Sequence, residues 1–144
     1  MATAEKILVI DDDEDFRESV RQLLENEGYV VIEADSGKDG LDKLVEHKPD
    51  VILLDVMMET LEEGYGVSAA IKFQRLYEKH QRVPIIMVSS ILETPVDRYP
   101  YAAMVDMIQP DFYLTKPLDT RELLRVLRKA LGRRGREATP SRDP

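Results

Sequence analysis

Short, uninterrupted apolar runs punctuate the chain at 7–10 (Ile-Leu-Val-Ile), 30–32 (Val-Val-Ile), 51–54 (Val-Ile-Leu-Leu), 84–88 (Pro-Ile-Ile-Met-Val) and 112–114 (Phe-Tyr-Leu). They are rich in β-branched residues and continuous rather than alternating, as in strands covered on both faces. Between them the apolar spacing changes to that of a helix. Phe16, Val20, Leu23 and Leu24 stand at i, i+4, i+7 and i+8, and Gly28 follows as a stop. Leu41, Leu44 and Val45 repeat the pattern between a Ser36 cap and Pro49. Val67, Ala70, Ile71 and Gln74 predict a third helix over 66–80. Leu123, Leu124, Leu127 and Leu131 predict a last one, with Asp119 and Glu122 spaced as a capping box. This alternation predicts an α/β fold, a parallel sheet with helices on both faces. In such sheets ligands gather beyond the carboxyl ends of the strands, so the residues just after each apolar run carry the candidate chemistry.

Those residues are the acidic run 11–15, then Asp55, then Ser89 and Ser90, then Thr115, Lys116 and Pro117. Each has a plain structural use: Asp13 to Asp15 can cap a helix and oppose its dipole, and a lone Asp, Ser or Lys-Pro can sit in a turn. Taken together they suggest more. Asp11, Asp12 and Asp55 would bring three carboxylates close together, and like charges so placed repel unless a cation or proton joins them. A donor set of oxygens alone, without His or Cys, selects a hard ion such as Mg²⁺. A carboxylate beside Mg²⁺, an ammonium and a hydroxyl is fit to accept a phosphoryl group. Asp55 would be the nucleophile, Lys116 would neutralise the transferring oxygens and Ser89 would donate a hydrogen bond to one of them. The chain has no glycine-rich phosphate cradle.

Composition narrows the choice. A length of 144 residues suits one domain, expected at 1–131, followed by a disordered basic tail at 132–144. The net charge of −8 opposes a nucleic-acid backbone, and without a signal segment or apolar span the chain is expected to be cytoplasmic and free of the membrane. The absence of cysteine excludes disulfides, thiol catalysis and thiolate metal sites. The two histidines, His47 and His80, lie near the ends of charged helices and read as surface residues.

The segments 7–13, 49–58 (Pro-Asp-Val-Ile-Leu-Leu-Asp-Val-Met-Met), 84–90 and 113–117 (Tyr-Leu-Thr-Lys-Pro), in this order, resemble the receiver domain of two-component response regulators over about residues 5–131. The resemblance implies a doubly wound, flavodoxin-like (CheY-like) sheet of order 2-1-3-4-5 with five flanking helices. It makes Asp55 the phosphorylated aspartate and gives Mg²⁺ to Asp11, Asp12, Asp55 and the Met57 backbone carbonyl. It makes Ser89 the switching hydroxyl, Lys116 the conserved cation and Tyr113 the aromatic that follows Ser89, with a cis Lys116-Pro117 bond. The implied partners are a histidine kinase or phosphotransfer protein, a downstream protein and, as one option, a second copy. Catalysis would be limited to the domain's own phosphorylation and a slow self-dephosphorylation, because apolar Met57 and Ile91 cannot orient an attacking water.

Several positions depart from the family. Glu59 stands where it usually has proline, and segments 72–82 and 91–111 are longer than usual. Pro95, Pro100 and Pro110 would confine the helix before the last strand to about 101–108. Glu59 and segment 91–111 motivate a rival reading, a receiver-like scaffold that works without phosphorylation, although the five core site positions are intact. A second rival is a phosphohydrolase of the haloacid-dehalogenase type. Asp11 and Asp13 imitate its first motif, but Asp15 stands where that family prefers Thr or Val, and Asp55 has no role in it.

Overall fold

The computed structural model describes residues 4–55, 61–89 and 111–138, with side chains from 66 onward in the second stretch and up to 132 in the third. Five strands, β1 (Lys6–Ile10), β2 (Val30–Ala34), β3 (Val51–Asp55), β4 (Ile85–Ser89) and β5 (Phe112–Thr115), form one all-parallel sheet of order β2-β1-β3-β4-β5. This is the order the family resemblance implied. The helices are α1 (Glu14–Asn26), α2 (Gly37–His47), α3 (Leu61–Phe73), a short 3-10 helix (Arg75–His80) and α4 (Thr120–Ala138).

The continuous apolar runs follow from two separate cores. Leu8, Ile10, Ile52, Leu54, Ile85 and Met87 face α2, α3 and the 3-10 helix, where Leu44, Val67, Ile71 and Tyr77 meet them. Ile7, Val9, Val51, Leu53, Ile86 and Val88 face α1 and α4, where Val20, Leu24, Leu123, Leu127 and Ala130 close the other side. Successive strand residues point to opposite faces, so a sheet covered twice needs an apolar residue at every position. Burying each such side chain is worth about 1.5–3 kcal/mol.

Local signals set the helix ends. Asp13 caps α1, its side chain accepting from the Asp15 and Phe16 amides, and Gly28 turns the chain into β2 at φ +93°. Ser36 caps α2 by accepting from the Asp39 amide, and Lys48 ends that helix in a left-handed conformation.

The structure departs from the sequence pattern in the third and last helices and at two of the apolar-stripe positions. The third helix does not run over 66–80. It spans Leu61–Phe73, breaks at Gln74 in an extended conformation, and continues as the 3-10 turn. Val67, Ala70 and Tyr77 sit at near-helical spacing, so the periodicity passes through the break unseen. Gln74, placed on the buried stripe from sequence, is exposed. Val45 is also exposed, because the buried stripe of α2 runs through Gly37, Gly40 and Leu44 and Val45 lies further round the helix. The last helix passes the boundary drawn at 131 and continues to Ala138. The basic residues of this stretch are good helix formers, so lacking large apolar side chains does not end the helix. The helix expected at 101–108 lies outside the described residues, as do Met57, Glu59 and Ile91.

Gly40 holds α2 against the sheet. A Cβ there would run into Cδ1 of Ile10 and lie 2.9 Å from its Cγ1, whereas a Cβ on Gly66 in α3 would meet nothing within 4 Å. Gly66→Ala should therefore stabilise the fold by about 0.5–1 kcal/mol. Gly40→Ala should destabilise it by about 1–3 kcal/mol despite the better helix former. Urea unfolding followed by circular dichroism would separate the two, and equal gains from both would refute the packing argument.

Candidate functional site

The carboxyl ends of β1, β3, β4 and β5 converge on one edge. Asp11 follows β1, and its amide donates to the Ala34 carbonyl at 3.0 Å, so the residue stays in the sheet. The residue is 1% exposed, and each carboxylate oxygen has one hydrogen bond, which leaves lone pairs for a cation: Oδ1 accepts from the Asp13 amide at 2.8 Å, and Oδ2 accepts from Lys116 Nζ at 3.0 Å. Asp55 ends β3 in register with Val88 and is 4% exposed, with Oδ1 3.6 Å from Lys116 Nζ. Asp12 is exposed beside them. One carboxylate oxygen from each of Asp11, Asp12 and Asp55 lies within 4.8 Å of the others, a separation one cation can bridge. All donors are hard oxygens, which fits Mg²⁺. The acidic run 11–15 thus divides in two: Asp11 and Asp12 turn to the cluster, while Asp13 serves α1 as its cap.

Lys116 is placed by its own backbone. The Lys116 amide donates to the Ser89 carbonyl at 2.7 Å, extending the pairing in which Thr115 faces Ser89, and the Lys116-Pro117 bond is cis. The ammonium sits 4.2 Å from the centre of the Phe16 ring in α1, a cation–π contact that also shields it from water. Burial lowers the Lys116 pKa. The hydrogen bond to Asp11 and the charges of Asp55 and Asp11 outweigh that effect, so the net shift is upward from 10.5 and the side chain stays charged.

Ser89 ends β4 fully buried. Strand alternation puts it on the same face as Met87, which pairs with Tyr113 of β5, and Tyr113 packs against the core of that face. Ser89 and Tyr113 therefore share one side of the sheet. His47 pairs with Glu46 at 3.5 Å and His80 lies at the end of the 3-10 helix, so neither belongs to the cluster.

Three residues outside the predicted set, Arg17, Arg21 and Glu33, brace the site. Arg17 Nη1 donates to the Asp11 carbonyl at 2.6 Å, while its Nε donates to Glu33 Oε1 at 3.0 Å. Arg21 Nη1 donates to Glu33 Oε2 at 2.6 Å. These bonds tie α1 to β2 and hold the chain just where Asp11 leaves the sheet. The one hint in the sequence is Glu33, a charge directly after the apolar run 30–32. A mainly apolar groove of about 550 Å³ opens beside the cluster between α1 and α4, with Phe16, Leu23, Lys116 and Leu123 among its walls.

The family model described as "Response regulator receiver domain" matches residues 7–128. The chain is 37% identical over 139 residues to the alkaline phosphatase synthesis transcriptional regulatory protein PhoP of Bacillus subtilis, covering 96% of this chain and 52% of PhoP. It therefore spans about half the length of that regulator. Protein PilG of Pseudomonas aeruginosa is 35% identical over 123 residues, 85% of this chain and 84% of its own. Among solved structures, the chemotaxis response regulator CheY4 of Vibrio cholerae superposes with a TM-score of 0.73 at 27% identity, over 90% of this chain and all of CheY4.

Removing the cation from between two buried carboxylates leaves like charges uncompensated. Breaking a fully buried pair costs about 3–5 kcal/mol; Lys116 keeps some solvent contact, so Lys116→Met should cost about 2 kcal/mol. Added Mg²⁺ should raise the melting temperature of this variant more than that of the wild type, since the ion can replace part of the missing charge. Equal Mg²⁺ shifts in thermal unfolding would show that Lys116 does not offset the cluster.

Proposed function

Because this chain belongs to the response regulator receiver domain family, we propose that it is a phosphorylation-driven switch in which Asp55 accepts a phosphoryl group from a phosphohistidine on a histidine kinase or phosphotransfer protein. The observation that carries this reading is the Asp55 carboxylate, buried at the ligand-binding edge of the sheet, 3.6 Å from an ammonium and within reach of two further carboxylates.

In the transfer, an Asp55 carboxylate oxygen bonds to phosphorus as the phosphorus–nitrogen bond breaks, and the departing imidazole keeps the electron pair and takes up a proton. Lys116, already held at the same place, neutralises a phosphoryl oxygen without having to be recruited. Mg²⁺, when bound, supplies the rest of the charge compensation. Its ligands in this reading are Asp11, Asp12, Asp55 and the Met57 carbonyl, the last outside the described residues. The Ser89 hydroxyl then turns to a phosphoryl oxygen, and Tyr113, on the same side of the sheet, follows it. The two-state surface that results is read by a downstream protein or a second copy of the chain. Catalysis is confined to the domain's own acyl phosphate. The phosphodonor places this activity in the cytoplasm. No helix among the described residues is long and apolar enough to cross a membrane.

Incubation with acetyl phosphate and Mg²⁺ should add one phosphoryl group by intact-mass spectrometry. The adduct should be absent from Asp55→Asn and from an EDTA control. No adduct on the wild type would favour the scaffold that works without phosphorylation, and an adduct on Asp55→Asn would move the acceptor elsewhere.

Once formed and freed of phosphodonor, the acyl phosphate should decay slowly, because Met57 and Ile91 offer no base to an attacking water. Decay within seconds in a phosphatase-free preparation would contradict this.

A further inference from the structure

At the end of the molecule away from Asp55, the turn between α3 and β4 presents an unusual surface. Phe73, the last residue of α3, is 56% exposed, and Leu76, in the 3-10 helix, is 75% exposed. The break at Gln74 explains why both stay outside. The 3-10 turn spends its inward position on Tyr77, which is buried among Leu44, Ile71 and Ile85, and Phe73 and Leu76 are left facing solvent.

The same turn is basic in a protein of net charge −8. Segment 72–82 carries Lys72, Arg75, Lys79 and Arg82 against a single acid, Glu78. Lys72 lies 3.6 Å from Asp111, but Arg75 and Lys79 are exposed and form no ion pair among the described residues. Lys48 is exposed at the end of α2, one turn beyond Leu44, which shares a packed cluster with Tyr77 of the 3-10 turn. Burial, and after it the ammonium groups of Lys48 and Lys79, hold the His80 pKa below 6.5, so both cations act on one point.

We propose that Phe73 and Leu76, with Arg75, Lys79 and Lys48 around them, form a docking surface for an acidic protein segment bearing large apolar side chains. Charge selects the partner. The acidic body repels an acidic segment elsewhere, and within a Debye length of about 8 Å this turn reverses the sign. The two apolar side chains supply anchors that exclude water from the charge pairs. A short segment touches only the basic turn, whereas an extended anionic bilayer would also meet the acids beside it, which favours a protein partner over a membrane. The surface lies at the amino ends of the strands, so docking there leaves the acidic cluster open and does not depend on phosphorylation.

The test uses the full chain, isotope-labelled for NMR, and a short synthetic peptide of alternating Glu and Leu/Phe. Controls are the same peptide with Ser at the apolar positions, and vesicles of equimolar phosphatidylcholine and phosphatidylglycerol. The expected result is that the acidic apolar peptide shifts amide resonances of 72–82 and of Lys48, with or without acetyl phosphate. Its affinity should fall at least about tenfold, or 1.4 kcal/mol, for the Ser peptide, for the double variant Phe73→Ser/Leu76→Ser and for Arg75→Glu/Lys79→Glu. All variants should still take up one phosphoryl group, which separates a lost surface from a lost fold. Shifts confined to other surfaces, unchanged affinity in the charge-reversed variant, or no shifts at millimolar peptide would each overturn the proposal. Vesicle binding that the variants lose, without peptide binding, would overturn it in favour of a lipid surface.

Discussion

Two carboxylates buried at the ends of neighbouring strands repel each other strongly unless a positive charge stands between them, and in this protein that charge is Lys116. The contact joins Asp11 after β1, Asp55 at the end of β3 and the turn after β5, while Phe16 of α1 lies under the ammonium. Asp11 and Lys116 are 105 residues apart in the chain, so the bridge forms only when the whole sheet is assembled. The site is therefore a product of the fold and in turn a condition on it: strand order, the α1 entry and the β5 turn must all be right for these charges to be compensated.

The acids at the two edges of the sheet have different partners. At the carboxyl edge, Asp11, Asp12 and Asp55 gather around one point. At the amino edge, Asp50 Oδ2 accepts from the Lys6 amide at 2.8 Å and Asp111 Oδ2 accepts from the Ile85 amide at 2.9 Å. These bonds give the first donors of β1 and β4 a side-chain acceptor in place of a neighbouring strand's carbonyl. Within the acidic run at the carboxyl edge the split is by residue: Asp11 and Asp12 join the cluster, while Asp13 completes the first turn of α1.

Much of this was legible in the sequence because it depends on local periodicity. Continuous apolar runs announced strands buried on both faces, and Ser36, Asp13 and Asp119 marked helix starts that the structure reproduces with side-chain hydrogen bonds. Periodicity failed where a break leaves it intact. Val67, Ala70 and Tyr77 keep a helical spacing across Gln74, so a helix and a 3-10 turn read as one element. Composition was silent in the same way after Leu131, where a basic stretch without large apolar residues continues α4 to Ala138.

By itself the sequence determined which residues could do chemistry, because residue type and position after each strand are local facts: carboxylates at 11, 12 and 55, a hydroxyl at 89, an ammonium at 116. Tertiary structure alone decided their relations. It set the 3.0 and 3.6 Å distances from Lys116 to two acids, the Arg17–Glu33 brace behind Asp11, and the choice of Tyr77 over Phe73 and Leu76 for the core. These depend on distances between segments far apart in the chain. Such distances are fixed by how two packed faces close over one sheet, which no local pattern encodes.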